Sequence, residues 1–517
     1  MQDRSHIALK ARRELAPHQQ TLWFDVGDLL WWRYSHVTGI QRAMLSILCQ
    51  LRTAQNLPFA VRYCRYVSDN GFFEVDQQSI ETCITRLTGL GTGTKKGVRH
   101  ILPIYRIDQK AVNRIKAAIK VFLRKAFRRL PPEIAPQSRD LFYAAVTWFR
   151  ACRLYGANGL KVVLRHRRIR NSCGPASSLE SNKCQFSEGD ILLNVGTSWI
   201  NPGYMGGVGH AKNEHGLKYV AMIYDLIPWK FPQWFPVESV PQFVPWARQT
   251  IETADTLLAI SENTKGDIQQ FIEKVGLPRK TTTVVRLGAT LLQTNGRTEP
   301  RRDSFKIPTE NGYVLSLGTL EIRKNHQLLF HVWNRLLEKY GQDIPVMVWV
   351  GRWGGWLLGD LMNDLKRSNH LMGKLVILGG EKQIGVTDEE LLYLYENCLF
   401  TLFPSYYEGW GLPVAESLAC GKYCIASNSS SIPEVAGDLI DYHDPGDFNG
   451  CYELVERAIF DPDYRAKKEA EIRAKYRTHS WADCTNTITK TIESLFLGGT
   501  VDLLGLERPP TETGITG

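Results

Sequence analysis

The chain has 517 residues, of which 43% are hydrophobic, 10% aromatic and 22% charged. That is an ordinary globular mix, long enough for two to four domains, and it excludes a disordered or fibrous protein. Lys plus Arg outnumber Asp plus Glu by 63 to 53, a net charge of +10 that calls for an anionic partner somewhere. No apolar run reaches the roughly 18 residues of a membrane-spanning helix. The first twenty residues are polar and lack the apolar stretch of a secretory signal. Eleven scattered cysteines without a C-x-x-C pair read as reduced thiols, not as a disulfide frame or a zinc site. A cytoplasmic protein is expected.

In chain order, residues 1–20 form a polar tail. Thr21–Val26 is a short apolar run, and Ile40–Leu51 is apolar at helical spacing, so a strand is followed by a helix. The charge then becomes uneven: between Lys95 and Ser172 there are twenty Lys or Arg and three acidic residues, a local +17 that leaves the remainder near −7. Gly-rich and Ser/Gly/Pro-rich stretches bound this segment, which reads as an insertion over about 84–180. Within it Val112, Ile115, Ile119, Phe122 and Ala126 share one helical face, while Arg114, Lys116, Lys120, Arg124 and Arg128 fall mostly elsewhere. Such a basic amphipathic helix suits an anionic membrane surface; packing of the stripe on the domain is the alternative. No nucleic-acid module accompanies the charge, so no nucleic-acid partner is expected.

Beyond the insertion, Asp190–Gly196, Lys218–Asp225 and Thr256–Ser261 read as buried strands, with Ser261 placed to cap the next helix. The Gly-rich stretch Asn201–His210 reads as a loop walling a cleft, or as disorder. A Gly, Pro and charge-rich linker covers about 290–311. Four more strands follow, at Tyr313–Gly318, Pro345–Gly351, Lys374–Gly379 and Leu399–Pro404, separated by helical stretches. Alternating strands and helices imply parallel sheets covered on both faces. The expectation is an α/β chain of two Rossmann-like domains: 21–297, carrying the insertion, and 298–480. A helix over 481–497 is expected to return to the first domain, and a flexible tail occupies 498–517.

The stretch richest in chemistry is Phe403 to Gly421. A strand ends at Pro404, a Gly-punctuated turn follows, and a helix begins near Leu412 with Pro413 suited to its first turn. Backbone amides at such a helix start, preceded by Gly409 and Gly411, suit a diphosphate. Glu408 precedes that helix and Glu416 lies about one turn inside it. Two carboxylates beside a phosphate cradle suit hydroxyl groups, those of a sugar and of a ribose; a glycine turn with two solvated glutamates is the bland alternative. Asp461-Pro462-Asp463 mimics a metal-binding pair but sits between helices and reads as a turn. No metal cluster is evident, and His326, His331 and His443 are isolated.

This run resembles the E-x7-E motif of family 4 glycosyltransferases, which have the two-domain GT-B fold. Tyr313–His326 is similar to that family's first donor-domain strand and basic phosphate loop, Val348–Trp356 to its second strand and loop, and Ser427–Glu434 to the loop after the motif helix. Asp388-Glu389-Glu390-Leu391 resembles its nucleotide-base region, and Thr38–Arg42 its acceptor-side Gly loop. The resemblance covers about 21–60 and 190–490, not the insertion. It implies catalytic roles for Glu408, Lys324, Arg323 and Asp225. It implies donor binding by Glu416, Gly409, Gly411, Leu412, Gly318 and Thr319, and acceptor binding by Gly39, Gln41, Arg42 and Tyr224. Arg323 and Lys324 are adjacent, the form of mannosyltransferase-like members. Tyr224 stands where the family usually has His, and a Tyr cannot carry positive charge.

The implied reaction is retaining transfer of a hexose, mannose favoured, from a nucleotide sugar such as GDP-mannose to a lipid-linked or growing glycan of a surface polysaccharide such as O-antigen. dTDP-rhamnose, UDP-glucose and UDP-galactose stay open as donors. No metal or cofactor is implied, and the enzyme is expected at the inner face of the plasma membrane. A nucleotide-sugar epimerase shares the two-domain fold and is the rival enzyme; a glycan-binding module with a degenerate site is the non-enzyme rival.

Overall fold

In the computed structural model the described residues are 20–32, 39–68, 70–88, 182–290, 307, 310–352, 354, 358–379 and 386–498. Apart from Asn182 they belong to one compact unit. The expected basic helix through Val112 and Ala126, most of the 290–311 linker, Thr38 and both chain ends lie outside them.

Two sheets organise this unit. The first holds seven strands: β1 (Thr21–Asp25), β2 (Ala60–Val67), β3 (Gly71–Glu74), β4 (Ile191–Asn194), β5 (Lys218–Ile223), β6 (Thr256–Ala259) and β7 (Thr282–Val284). Their spatial order is β3-β2-β1-β4-β5-β6-β7, and only the β2–β3 pair is antiparallel. The second sheet is all parallel, in the order β10-β9-β8-β11-β12-β13, from β8 (Tyr313–Leu317), β9 (Val346–Val350), β10 (Leu375–Leu378), β11 (Thr401–Phe403), β12 (Cys424–Ser427) and β13 (Asp441–His443). Strands buried on both faces need continuous apolar runs, and ILLN, KYVAMI, TLLA and VMVWV supply them. In both sheets the chain starts near the middle and later returns to the other side of its first strand. Ligands bind such sheets beyond the carboxyl ends of the strands at that switch point, between β1 and β4 in one sheet and between β8 and β11 in the other.

Helices fill the crossovers. In the first half these are α1 (Ile40–Thr53), α2 (Gln77–Thr88), α3 (Tyr204–His215), α4 (Val240–Thr253) and α5 (Glu262–Val275). In the second half they are α6 (His326–Tyr340), α7 (Gly359–Arg367), α8 (Asp388–Asn397), α9 (Leu412–Ala419), α10 (Ile432–Ala436), α11 (Phe448–Phe460) and α12 (Pro462–Lys475). Local chemistry fixes several starts. Ser261 caps α5 through Thr264 N, and Thr387 and Glu390 make a capping box on α8. Asp461 accepts from Tyr464 N to cap α12, so the Asp-Pro-Asp triplet is a helix start.

One stretch departs from expectation. Residues 204–215 are not loop but helix α3, with Gly203 in the left-handed region at its start. Gly206, Gly207 and Gly209 suppress the periodicity that would have revealed it. Gly207 lets the Tyr66 ring pack against the helix backbone, where a β-carbon would overlap the ring.

The last helix, α13 (Trp481–Phe496), opens with a capping box from Ser480 and Asp483. Its Cys484, Ile488 and Ile492 share one core with Leu45 and Leu48 of α1 and with Val414 and Leu418 of α9. Phe496 meets Phe59 at 5.4 Å, and Lys218 donates to Leu495 O at 2.6 Å. The chain therefore ends, among the described residues, against the domain in which it began.

Candidate functional site

The carboxyl ends of β8 and β11 carry the motif residues toward the first domain. Gly318 follows β8 with φ 151°, and a β-carbon there would crowd the Lys324 stem at 3.1 Å; Thr319 follows, half-buried. Lys324 and Arg323 stand on a single 3-10 turn just before α6. Both converge on Glu408, with Lys324 Nζ 2.6 Å from Oε1 and an Arg323 guanidinium nitrogen 2.7 Å from Oε2. The same guanidinium reaches Glu321 at 2.6 Å and donates to Tyr407 O at 2.8 Å. Asp225, after β5, faces this group and accepts from Ile227 N at 3.0 Å.

Burial works upward on the Glu408 carboxyl, but Arg323 and Lys324 outweigh it and hold the pKa down to about 2. Burial lowers Lys324, with Glu408 resisting. Asp225 is raised by burial, against the pull of Arg323. The cluster is thus a fixed ion network around an ionised Glu408, rather than a pair of carboxyls poised to trade a proton.

The loop carrying Glu408 is tied down by the serines at the end of β12 and just after it. Ser427 donates to Ser405 O and Ser429 to Tyr406 O, both at 2.6 Å, while Glu408 N donates to Ser430 Oγ at 2.8 Å. Ser431 Oγ lies within hydrogen-bond distance of both Glu408 O and Trp410 O. Gly411 has φ 125°, a conformation open to glycine, and its carbonyl accepts from Val414 N and Ala415 N to begin α9. Leu412 and Pro413 open the first turn, where proline has no N–H to give and the Val414 and Ala415 amides already donate to Gly411 O. Gly409 packs against the other domain: a β-carbon there would overlap Tyr224 O, and Thr264 Oγ1 lies 3.2 Å from Gly409 O.

The expected acceptor residues are differently disposed. Tyr224 is turned inward, its hydroxyl donating to Val195 O at 2.9 Å, so only its main chain borders the motif loop. The acceptor role expected at 224 thus falls on a side chain whose hydroxyl is already bonded within its own domain. Gly39 stands at the start of α1 with φ 55°, and Gln41 is half-buried. Arg42 does not wait for an acceptor: it crosses to the second domain and pairs with Glu416 at 2.6 Å and Asp388 at 2.8 Å. The second Glu416 oxygen takes the Tyr395 hydroxyl at 2.9 Å. Burial raises Glu416, while Arg42 and Tyr395 oppose it.

Several contributors escaped the sequence reading. The Tyr407 hydroxyl meets Lys230, Asn263 and Asp267 at 2.8–3.0 Å, and Glu434 caps α5 through Glu262 N and Asn263 N at 2.8 Å. Trp234 stacks on Tyr406 at 5.7 Å. Their signals were present only as the unusual density of Ser after β12 and of Tyr before Glu408. No group of three or more His, Cys, Asp or Glu among the described residues has a metal-binding arrangement.

Residues 298–471 match the family model described as Glycosyl transferases group 1. The chain is 26% identical over 301 residues to the O-antigen chain mannosyltransferase B of Escherichia coli, covering 57% of this chain and 76% of that protein. It is 27% identical over 235 residues to the serotype-specific mannosyltransferase WbdA of Escherichia coli, covering 45% of this chain and 28% of that one, so it spans little more than a quarter of that relative. The sucrose-phosphate synthase of Thermosynechococcus elongatus superposes with a TM-score of 0.52 at 13% identity, covering 93% of this chain and all of the other. Residues 298–471 are accordingly a group 1 glycosyl transferase domain, and the chain that carries it has the GT-B fold.

Proposed function

We propose that the protein is a retaining hexosyltransferase of family 4 type that moves mannose from GDP-mannose to a lipid-linked or growing surface polysaccharide. The observation that carries this reading is the buried Arg323–Glu408–Lys324 network directly ahead of the α9 start. Similarity to Escherichia coli O-antigen mannosyltransferases supports the choice of sugar and acceptor class.

Transfer joins an acceptor oxygen to the anomeric carbon, breaks that carbon's bond to the diphosphate, and delivers the acceptor's proton to the departing diphosphate on the same face. Negative charge grows on the leaving oxygen. Lys324, Arg323 and the N–H groups near Gly411 are the groups that stabilise it, with both cationic side chains already in place and largely shielded from water. Glu408, kept ionised, accepts hydrogen bonds from donor sugar hydroxyls, and Glu416 accepts them from the ribose. Neither acts as the nucleophile or acid of a glycosidase pair. No metal takes part in this scheme.

Glu408→Ala and Lys324→Ala are each expected to lower transfer from GDP-mannose at least tenfold while leaving the melting curve cooperative. The product should keep the donor's anomeric configuration by NMR, and activity should survive EDTA. Full transfer by both variants, or an inverted product, would overturn the assignment.

A further inference from the structure

Glu416 is the carboxylate that the reading above gives to the donor ribose, and the inference that follows rests on that reading. Its Oε1 is held at 2.6 Å by Arg42, which belongs to the other domain, and its Oε2 at 2.9 Å by Tyr395. The second arm of the guanidinium holds Asp388 at 2.8 Å, in the first turn of α8. Arg42 thus joins α1 to both α8 and α9. The Arg42 and Glu416 side chains are only 10% and 4% exposed, so their pairing is not diluted by water. Arg42 Nε is buried without a hydrogen-bond partner among the described residues, which leaves the guanidinium incompletely satisfied where it stands.

A ribose presents two vicinal hydroxyls as donors, and a carboxylate receives such a pair best with both oxygens. Here both oxygens already serve protein donors. Tyr395 stands on α8 in the same domain as Glu416, and its hydroxyl also reaches Pro413 O of α9 at 3.3 Å. Arg42 arrives from α1, across the cleft, so its hold on Glu416 depends on the placement of the facing domain. We propose that Arg42 competes with the donor's ribose hydroxyls for Glu416, and so restrains donor binding from the acceptor domain. Donor binding and inter-domain contact then draw on one carboxylate. Each weakens the other, to the same degree in free energy.

The test is a cycle of affinities. Binding of a nucleoside diphosphate, GDP or UDP according to which stabilises the protein more, is measured by calorimetry beside its 2′,3′-dideoxy counterpart. The ratio of the two Kd values reports what the ribose hydroxyls contribute, and it cancels the general electrostatic effect of changing a charge. In the wild type this ratio is expected to be small. In Arg42→Gln it should rise at least fivefold, because Glu416 is freed for the hydroxyls, and in Arg42→Lys it should rise less. An unchanged or lower ratio in Arg42→Gln overturns the proposal, since an arginine that merely orients Glu416 would give that result. Should Arg42→Gln not fold, Arg42→Lys alone decides on the same criterion. Glu416→Gln separates the two ideas: if it lowers the ratio while Arg42→Gln leaves it unchanged, the donor reading stands and only the competition fails. If Glu416→Gln leaves the ratio untouched, the ribose is not on Glu416, and both fall.

Discussion

Glu408 and Glu416 are eight positions apart and both buried, yet their surroundings move them in opposite directions. Two cations within hydrogen-bond reach take Glu408 down to about 2, from an ordinary 4.5. Its favourable contribution to folding is therefore present above about 4.5 and is lost as pH falls toward 2. Asp25, at the end of β1, shows the reverse case. Burial lifts it from 3.8 to about 6, against hydrogen bonds from Tyr204, Gly27 and Asn194. The folded state holds that proton more tightly than the unfolded chain does. Its contribution is thus complete below 3.8 and is lost as pH rises through about 6. Asp25→Asn removes the titrating group while keeping the shape. The melting-temperature difference between this variant and the wild type should shift in the variant's favour from pH 4 to pH 6.5 and then level off. A difference that stays flat across that interval would contradict the assignment of a raised Asp25.

At the scale of elements, what was legible depended on whether the signal was local. Strands β1, β4, β5, β6 and β8 to β11 were readable because their apolar runs are continuous and end in polar residues or Gly. The Glu408–Gly411–Leu412 turn was readable because its chemistry lies within ten residues. Helix α3 was not, since Gly206, Gly207 and Gly209 interrupt its apolar spacing and Gly207 serves a neighbour, Tyr66, more than a hundred positions away. The Arg42–Glu416 pair spans 374 positions, and nothing local to either residue announces it. Motif spacing likewise gives Tyr224 its place just after β5 but not the direction of its ring. Gly409 combines both scales. Its neighbours mark a turn, and its contact with Tyr224 O lies in the other domain. Gly409→Ala should cost on the order of 1–3 kcal/mol through overpacking at that contact. Because the motif loop must shift to relieve the overlap, transfer should fall by more than stability does. A variant with wild-type melting temperature and full activity would show that the loop tolerates the added carbon.

For the whole molecule, two features outside the site carry predictions: the last described helix and the uneven charge. Helix α13 shares one core with α1 and α9, so the end of the described chain helps to unite both sheets. Ile488 is fully buried there, and Ile488→Ala should destabilise by about 2–5 kcal/mol. The loss should appear as one earlier cooperative transition; two separate transitions would mean that the sheets melt independently. The other feature is charge. The +17 between Lys95 and Ser172 stands against about −7 for all other residues, a polarity that function has to explain. No helix among the described residues is long and apolar enough to cross a membrane. A basic segment bearing apolar residues at helical spacing offers a different route to a surface, and a lipid-linked acceptor would supply the reason to be there. Each Lys or Arg near an anionic leaflet contributes about 1 kcal/mol, so a handful suffices to localise the enzyme. Salt weakens that attraction, as the screening length falls to ~10 Å at 0.1 M. The wild type should therefore sediment with phosphatidylserine-containing vesicles at low salt and be released at high salt. A variant with Lys116, Lys120, Arg124 and Arg128 changed to Gln should lose most of the binding yet keep transfer to a water-soluble acceptor. Equal sedimentation of both proteins, or none by the wild type at low salt, would assign the apolar stripe to packing instead.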